Sequence, residues 1–317
     1  MKTFPSSLFY RLSGILFLFF PGFIFSQDSS VTFLSKMVTL KEVVVRSNLN
    51  IAAFIDRVKN DTTFYKAFRN LKVLGYTMLN DIQMKDKRGM PKASLQSRTR
   101  QSVKNGCRWM QTLAENSSGD LYDKNHNWNY YTAELYAGLF FAKDTICGET
   151  NIVKGDQFNT SGKTGVEKHK EQLKMLFFNP GYKIPGIPFI GGKVALFDEE
   201  TAKLYDFILD MDLLHGEMCY IFKIIPRPDL SSDEKNKIVI NEMTTWFRVS
   251  NWEILARHYD LSYEAGLFDF NVQMEVELGK FEDYLVPSLI RYNGSWKLIF
   301  KKRETGVFTA TLFDFTR

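Results

Sequence analysis

The sequence predicts a mainly β, α+β fold: one long curved antiparallel sheet or half-barrel with a few covering helices. Three observations lead there. After residue 203 nearly every segment reads as strand, at 204–214, 217–226, 237–249, 252–263, 267–278, 285–292, 296–303 and 307–315. The links between these stretches are short, which makes consecutive strands antiparallel neighbours. The stretches also exceed the usual strand length of about five to six residues, which favours one strongly curved sheet over a compact sandwich.

The first 26 residues stand apart from the rest. Lys2 and Arg11 flank an apolar run from Leu12 to Phe25, and Pro21-Gly22 interrupts it before the length of about 20 residues that a spanning helix needs. Residues 1–26 read as a signal peptide cleaved after Ser26, 27–37 as a flexible polar leader, and 38–317 as a single β-rich domain with a loop and helix insertion at about 150–193. No Cys follows the apolar run to carry a lipid anchor. Removing Lys2 and Arg11 with the signal peptide lowers the formal charge from +5 to +3, so the chain has no electrostatic motive for nucleic acid.

Along the remaining chain, 38–46 has β character from Val43, Val44 and Val45. Ile51, Phe54, Ile55 and Val58 then recur at helical spacing, Asp61 or Thr62 caps a further turn, and Phe64, Ala67, Phe68 and Leu71 continue the apolar face. From Lys72 the period becomes 2, giving a strand that turns at 87–91. Further strands are expected at 94–103 and 108–114, the second closed by turn residues 116–120. The most aromatic stretch, 128–141, reads as a half-buried strand. A helix is expected at 165–178, ending at Asn179-Pro180-Gly181, then a Pro- and Gly-rich connection at 183–193 and a single helical turn at 199–203. His215-Gly216 marks a tight turn, and Asn293-Gly294 a type I′ hairpin. The helices at 50–70 and 165–178 are expected to cover the concave face of the sheet.

No catalytic constellation is written in the chain. Residues 155–164 end in Gly162-Lys163-Thr164 like a phosphate-binding loop, but position 157 is Gln where that loop needs Gly, so no nucleotide site is expected. His126, His169, His215 and His258 are far apart in sequence and lack metal-ligand spacing. Asp206, Asp210 and Asp212 share one face of a strand by period 2. Cys107, Cys147 and Cys219 lack Cys-x-x-Cys spacing; Cys107 with Cys147 is the pair to test for a disulfide, and Cys219 beside His215 the pair to test for nucleophilic chemistry. No catalytic residue, metal ligand or cofactor is assigned.

Two stretches carry a family likeness. Leu40-Lys41-Glu42-Val43-Val44-Val45 resembles the strand that follows the carboxypeptidase-regulatory-like module in many Bacteroidota envelope proteins, with no room before it for the module itself. Phe64-Tyr65-Lys66-Ala67-Phe68 is similar to the segment that comes next in that group, and Tyr205-Asp206-Phe207 and Lys237-Ile238-Val239-Ile240 are similar to its later stretches. The sheet pattern also resembles the half-barrel of LolA-like lipoprotein carriers, which implies a lipid-binding cavity.

With 28 Phe, 14 Tyr and 5 Trp, the aromatic load is the one compositional feature that points toward function. The expected protein is exported, periplasmic or associated with the outer membrane, and non-enzymatic. It binds an apolar ligand, a lipid or lipoprotein-like molecule, or an envelope partner, through Trp128, Tyr130, Tyr136 and Phe140. Membrane association stays open, with no spanning helix after cleavage. The alternatives are a hydrolase with dispersed carboxylates or a Cys-His pair, and an outer-membrane β-barrel.

Overall fold

Eleven antiparallel strands form one sheet, and inward-facing residues at alternate positions of its central strands supply most of the core. The computed structural model describes residues 51–153, 175–176, 178, 181–183, 190, 192–265, 268–298 and 302–317. The signal, leader and 38–46 strand therefore lie outside the described residues, as do the Leu40–Val45 likeness, the 155–164 segment and most of the expected 165–178 helix. Residues 45–317 form one compact unit.

The strands are β1 (Gly75–Lys85), β2 (Pro91–Lys104), β3 (Cys107–Gly119), β4 (Ile146–Cys147), β5 (Tyr205–Leu214), β6 (Glu217–Pro226), β7 (Ile240–Arg248), β8 (Ile254–Ala265), β9 (Phe268–Phe281), β10 (Tyr284–Leu298) and β11 (Glu304–Thr316). Their order is β4-β3-β2-β1-β11-β10-β9-β8-β7-β6-β5, so β11 closes back beside β1 and the other neighbours follow chain order. The sheet is curved and open. Its edges, β4 and β5, are not paired with each other, whereas a membrane barrel has to be closed. Among the described residues no helix is long and apolar enough to cross a membrane.

The register aligns one row of residues across the sheet: Phe222, Thr245, Arg257, Val276, Ile290, Ala310, Asn80 and Ser97. All are buried. The next inward row runs Tyr259, Met274, Tyr292, Phe308, Ile82 and Leu95, and is also buried. These two rows form the floor on which the helices rest.

Helices α1 (Ile51–Lys59) and α2 (Thr63–Asn70) divide the expected 50–70 stretch. Asp61 makes the break: its Oδ1 accepts from the Thr63 backbone N–H at 2.5 Å and from the Thr63 hydroxyl at 2.6 Å, which satisfies a free donor of the new helix. Phe54 of α1 packs its ring 5.1 Å from Phe222, 5.6 Å from Phe247 and 5.2 Å from Trp252. In α2, Phe64 and Phe68 meet edge to face with centroids 5.5 Å apart, and Phe68 meets Phe178 at 4.5 Å. The helical turn expected at 199–203 is α4 (Glu199–Ala202), and a further single turn, α5 (Ser232–Lys235), starts with a capping box between Ser231 and Glu234.

Three expectations are corrected. Residues 131–140 form helix α3 (Tyr131–Phe140), so the aromatic stretch is not a strand: Ala133, Leu135 and Ala137 favour helix, and Tyr136 packs on Phe308 of the sheet at 4.8 Å. Residues 116–120 do not end the strand, because β3 runs to Gly119 and the Ser118 and Ser94 hydroxyls meet at 2.8 Å. Asn293-Gly294 is no hairpin. It lies inside β10, paired with Val307-Gly306 on one side and Gln273-Val272 on the other. The working Asn-Gly turn is Asn105-Gly106 between β2 and β3, with φ of 53° and 72°. His215-Gly216 also turns as expected, with φ of 50° and 82°.

Candidate functional site

Among the described residues an apolar site lies where α3 rests on β9, β10 and β11. From the helix come Thr132, Leu135, Tyr136, Leu139 and Phe140; from the sheet come Met274, Ile290, Tyr292, Trp296 and Phe308. They enclose a cavity of about 20 Å³, room for about one water molecule. The helix is apolar on nearly every side, since Tyr131, Thr132, Ala133, Leu135, Tyr136, Ala137 and Phe140 are all buried, as expected of a helix held inside a protein rather than on its surface.

Polar fastenings hold α3 at its first turn and at its middle. Its N-cap residue Tyr130 offers no side-chain cap. Instead the Glu304 carboxylate of β11 accepts from the backbone N–H of Tyr131 at 3.1 Å and of Thr132 at 2.8 Å, and from the Thr132 hydroxyl at 2.8 Å. A carboxylate there satisfies donors that have no intrahelical partner and complements the positive helix end, worth about 0.3–1 kcal/mol. Midway, the Tyr136 hydroxyl donates to Asn80 Oδ1 at 3.1 Å, and Asn80 Nδ2 donates to Ser97 Oγ at 3.2 Å. Burial pushes the Tyr136 hydroxyl far above the ordinary tyrosine range, so it stays a neutral donor.

Beyond α3 the chain returns to β3 and is tied there by a disulfide between Cys107 and Cys147, the pair singled out from the sequence. Around it lies a buried polar network. Arg108, 5% exposed, donates from Nε to Glu149 at 2.5 Å and from Nη1 to Gln101 Oε1 at 2.9 Å. Gln101 Nε2 in turn donates to the carbonyls of Leu71 and Leu74 at 2.6 and 2.7 Å. Partial burial raises the Glu149 pKa, but Arg108 and Lys72 outweigh it and hold the carboxyl below its usual value.

The four aromatics expected to bind ligand fall into two groups. Tyr136 and Phe140 line the cavity. Trp128 and Tyr130 belong to the connection before α3: Trp128 packs with its ring tilted 4.8 Å from Tyr122, while Tyr130 donates its hydroxyl to Asp120 and carries Lys92 Nζ at 5.2 Å over its ring. The floor residues Met274, Ile290, Tyr292, Trp296 and Phe308 went unremarked in the sequence. Their signal was present as the alternation Ile290, Tyr292, Gly294, Trp296, which the expected hairpin cut in two.

The residues considered for other chemistry do not converge. Asp206, Asp210 and Asp212 are exposed along β5, and the last two accept from the backbone N–H of the residues that follow them. His215 is exposed and lies 3.3 Å from Glu277, while Cys219 is fully buried and donates to the Glu217 carbonyl. Burial raises the Cys219 thiol above its ordinary pKa, which disfavours the thiolate a nucleophile needs. Among the described residues no group of three His, Cys, Asp or Glu is placed to hold a metal.

No protein-family model matches the chain, and no curated protein matches it. Solved structures give distant likenesses. A DUF1329 family protein from Desulfovibrio piger is 9% identical at a TM-score of 0.25, covering 80% of this chain and 93% of its own. A putative outer membrane lipoprotein-sorting protein domain from Vibrio parahaemolyticus is 8% identical at 0.27, covering 83% and 89%. The LolA superfamily protein NE2245 from Nitrosomonas europaea is 8% identical at 0.25, covering 80% and 91%. Likenesses this distant decide nothing about function, which rests on the geometry of the chain itself.

Proposed function

We propose that this chain is an exported envelope protein that carries an apolar ligand, a lipid acyl chain, between α3 and the inner face of β9, β10 and β11. The observation that supports this reading is an all-round apolar helix resting on an apolar floor and fastened through Glu304 and Asn80. A ligand pocket usually measures about 300–1,000 Å³, so the cavity of about 20 Å³ corresponds to the empty, closed form. Loading requires α3 to lift from the floor. The Cys107–Cys147 disulfide fits an oxidising compartment outside the cytosol.

Trp296 lines the cavity and reports its occupancy. Titration of the purified full chain with dodecanol is expected to change Trp emission saturably at a 1:1 ratio, with most of the change lost in Trp296→Phe. Organic extraction of protein purified from cells is expected to release lipid. No saturable binding up to the solubility limit, together with no extracted lipid, sinks the proposal.

A further inference from the structure

Two arginines of the sheet are each 5% exposed, Arg108 and Arg257, and their surroundings differ in one respect. Arg108 has a carboxylate at 2.5 Å. Arg257 has none within ion-pair distance among the described residues. Its Nε donates to Thr245 Oγ1 at 2.9 Å and its guanidinium lies 4.3 Å over the ring of Phe64 from α2; no other bond ties the fork down among the described residues. Asp61 is near enough to be felt electrostatically, but its Oδ1 is engaged by Thr63. Tyr182 and Tyr259 are the remaining polar groups that face it, and the Tyr182 hydroxyl points to the carbonyls of Val58, Lys59 and Asp61.

An arginine stays protonated even when buried, and desolvating a cation without a counter-charge is unfavourable. Such a cost persists where the charge has a partner that comes and goes. Arg257 lies in the same inward row as Val276 and Ile290, two strands from Ile290 of the cavity floor, or roughly 10 Å at ordinary strand spacing. The surface between is apolar. We propose that Arg257 is the receptor for the anionic head of the ligand, a carboxylate or phosphate monoester whose acyl chain runs along the inner face toward Ile290 and the floor under α3. This rests on the apolar-carrier reading above and specifies its ligand as an amphipathic anion.

The test compares dodecanol, dodecanoate, dodecyl phosphate and inorganic phosphate on the full chain at pH 8. Dodecanoate and dodecyl phosphate are expected to bind at least tenfold more tightly than dodecanol, because a charge-assisted bidentate bond forms only with the anions. Arg257→Met is expected to remove that preference and keep or raise Tm, since it deletes a buried charge that has no carboxylate within ion-pair distance among the described residues. Arg257→Lys retains the charge, guards against a folding failure of the Met variant, and is expected to lose several-fold of the preference through loss of the fork. Equal binding of dodecanol and dodecanoate by the wild-type chain, or a preference that survives in Arg257→Met, overturns the assignment while leaving the carrier reading intact. Absence of dodecanol binding removes the carrier reading and this assignment with it. Displacement of dodecanoate by millimolar inorganic phosphate would mean a site for a free anion, and would overturn the amphipathic ligand.

Discussion

At the scale of single residues, Gly294 and Gly306 explain how the floor of the site is shaped. They face each other on β10 and β11, and neither has a side chain to hold neighbouring rings away. The Tyr292 ring leans across Gly294, and a Cβ there would lie 3.0 Å from Tyr292 Cε1 and closer still to its hydroxyl; at Gly306 it would lie 2.9 Å from Phe308 Cζ and 3.3 Å from Met84 Sδ. Freed in this way, Tyr292 and Phe308 stack 4.9 Å apart and nearly parallel, and Trp296 Nε1 donates to the Tyr292 hydroxyl. Gly294→Ala has to push the Tyr292 ring off both partners. Overpacking of this kind costs about 1–3 kcal/mol, to be read as a lower urea midpoint at unchanged slope. A change under about 0.5 kcal/mol would show that the ring moves freely and that the stack is not a fixed part of the floor.

Among elements, the contrast between the two Asn-Gly pairs shows what the sequence makes legible. Asn105-Gly106 follows Lys104 and interrupts no inward stripe, so the local turn preference prevails. Asn293-Gly294 sits within Ile290, Tyr292, Gly294 and Trp296, and a turn there would expose Trp296, which is 3% exposed in the fold. Burial of two large aromatics outweighs a turn preference, and the period-2 stripe was the signal to follow. The α3 stretch fails for a different reason. Aromatics suit strands and buried helices alike, and neither its length nor its pattern separates the two; only the floor supplied by β9 to β11, distant in sequence, decides. The strands themselves, with alternating faces and short links, were readable almost throughout. Arg257 was not, because a single basic residue in a strand does not disclose which way it faces or what it lacks. The C-terminal side of α3 is held by the Cys107–Cys147 disulfide, which closes a loop of 40 residues. The chain-entropy model gives about 4 kcal/mol for a loop of that size. Cys107→Ser with Cys147→Ser is therefore expected to lower unfolding free energy by about 2–4 kcal/mol, and dithiothreitol to do the same to the wild type; a loss below about 1 kcal/mol in both would contradict it.

For the whole molecule, the distribution of fastenings separates a rigid sheet from a removable helix. Strands β9, β10 and β11 are bonded on both sides along their length. Helix α3 instead buries seven of its ten residues and, among the described residues, is bonded to the Glu304 carboxylate at its start and through the Tyr136 hydroxyl at its middle. Apolar contact is non-directional, so a ligand chain can replace the helix side chains on the floor without leaving polar groups unpaired there. Opening α3 should then cost less than unfolding the sheet, as is common for elements that cover binding sites. Amide hydrogen exchange measures this directly. In the ligand-free chain, amides of 135–140 are expected to exchange through a partial opening at lower free energy than amides of β9 and β10, and Glu304→Gln should speed that exchange by removing the charged clamp. Saturating dodecanoate is expected to change exchange in α3 and leave the sheet as it was. If 135–140 exchange only at the global unfolding free energy, and dodecanoate alters nothing there, then α3 is a fixed part of the core, the cavity of about 20 Å³ is its permanent size, and no lipid enters by this route.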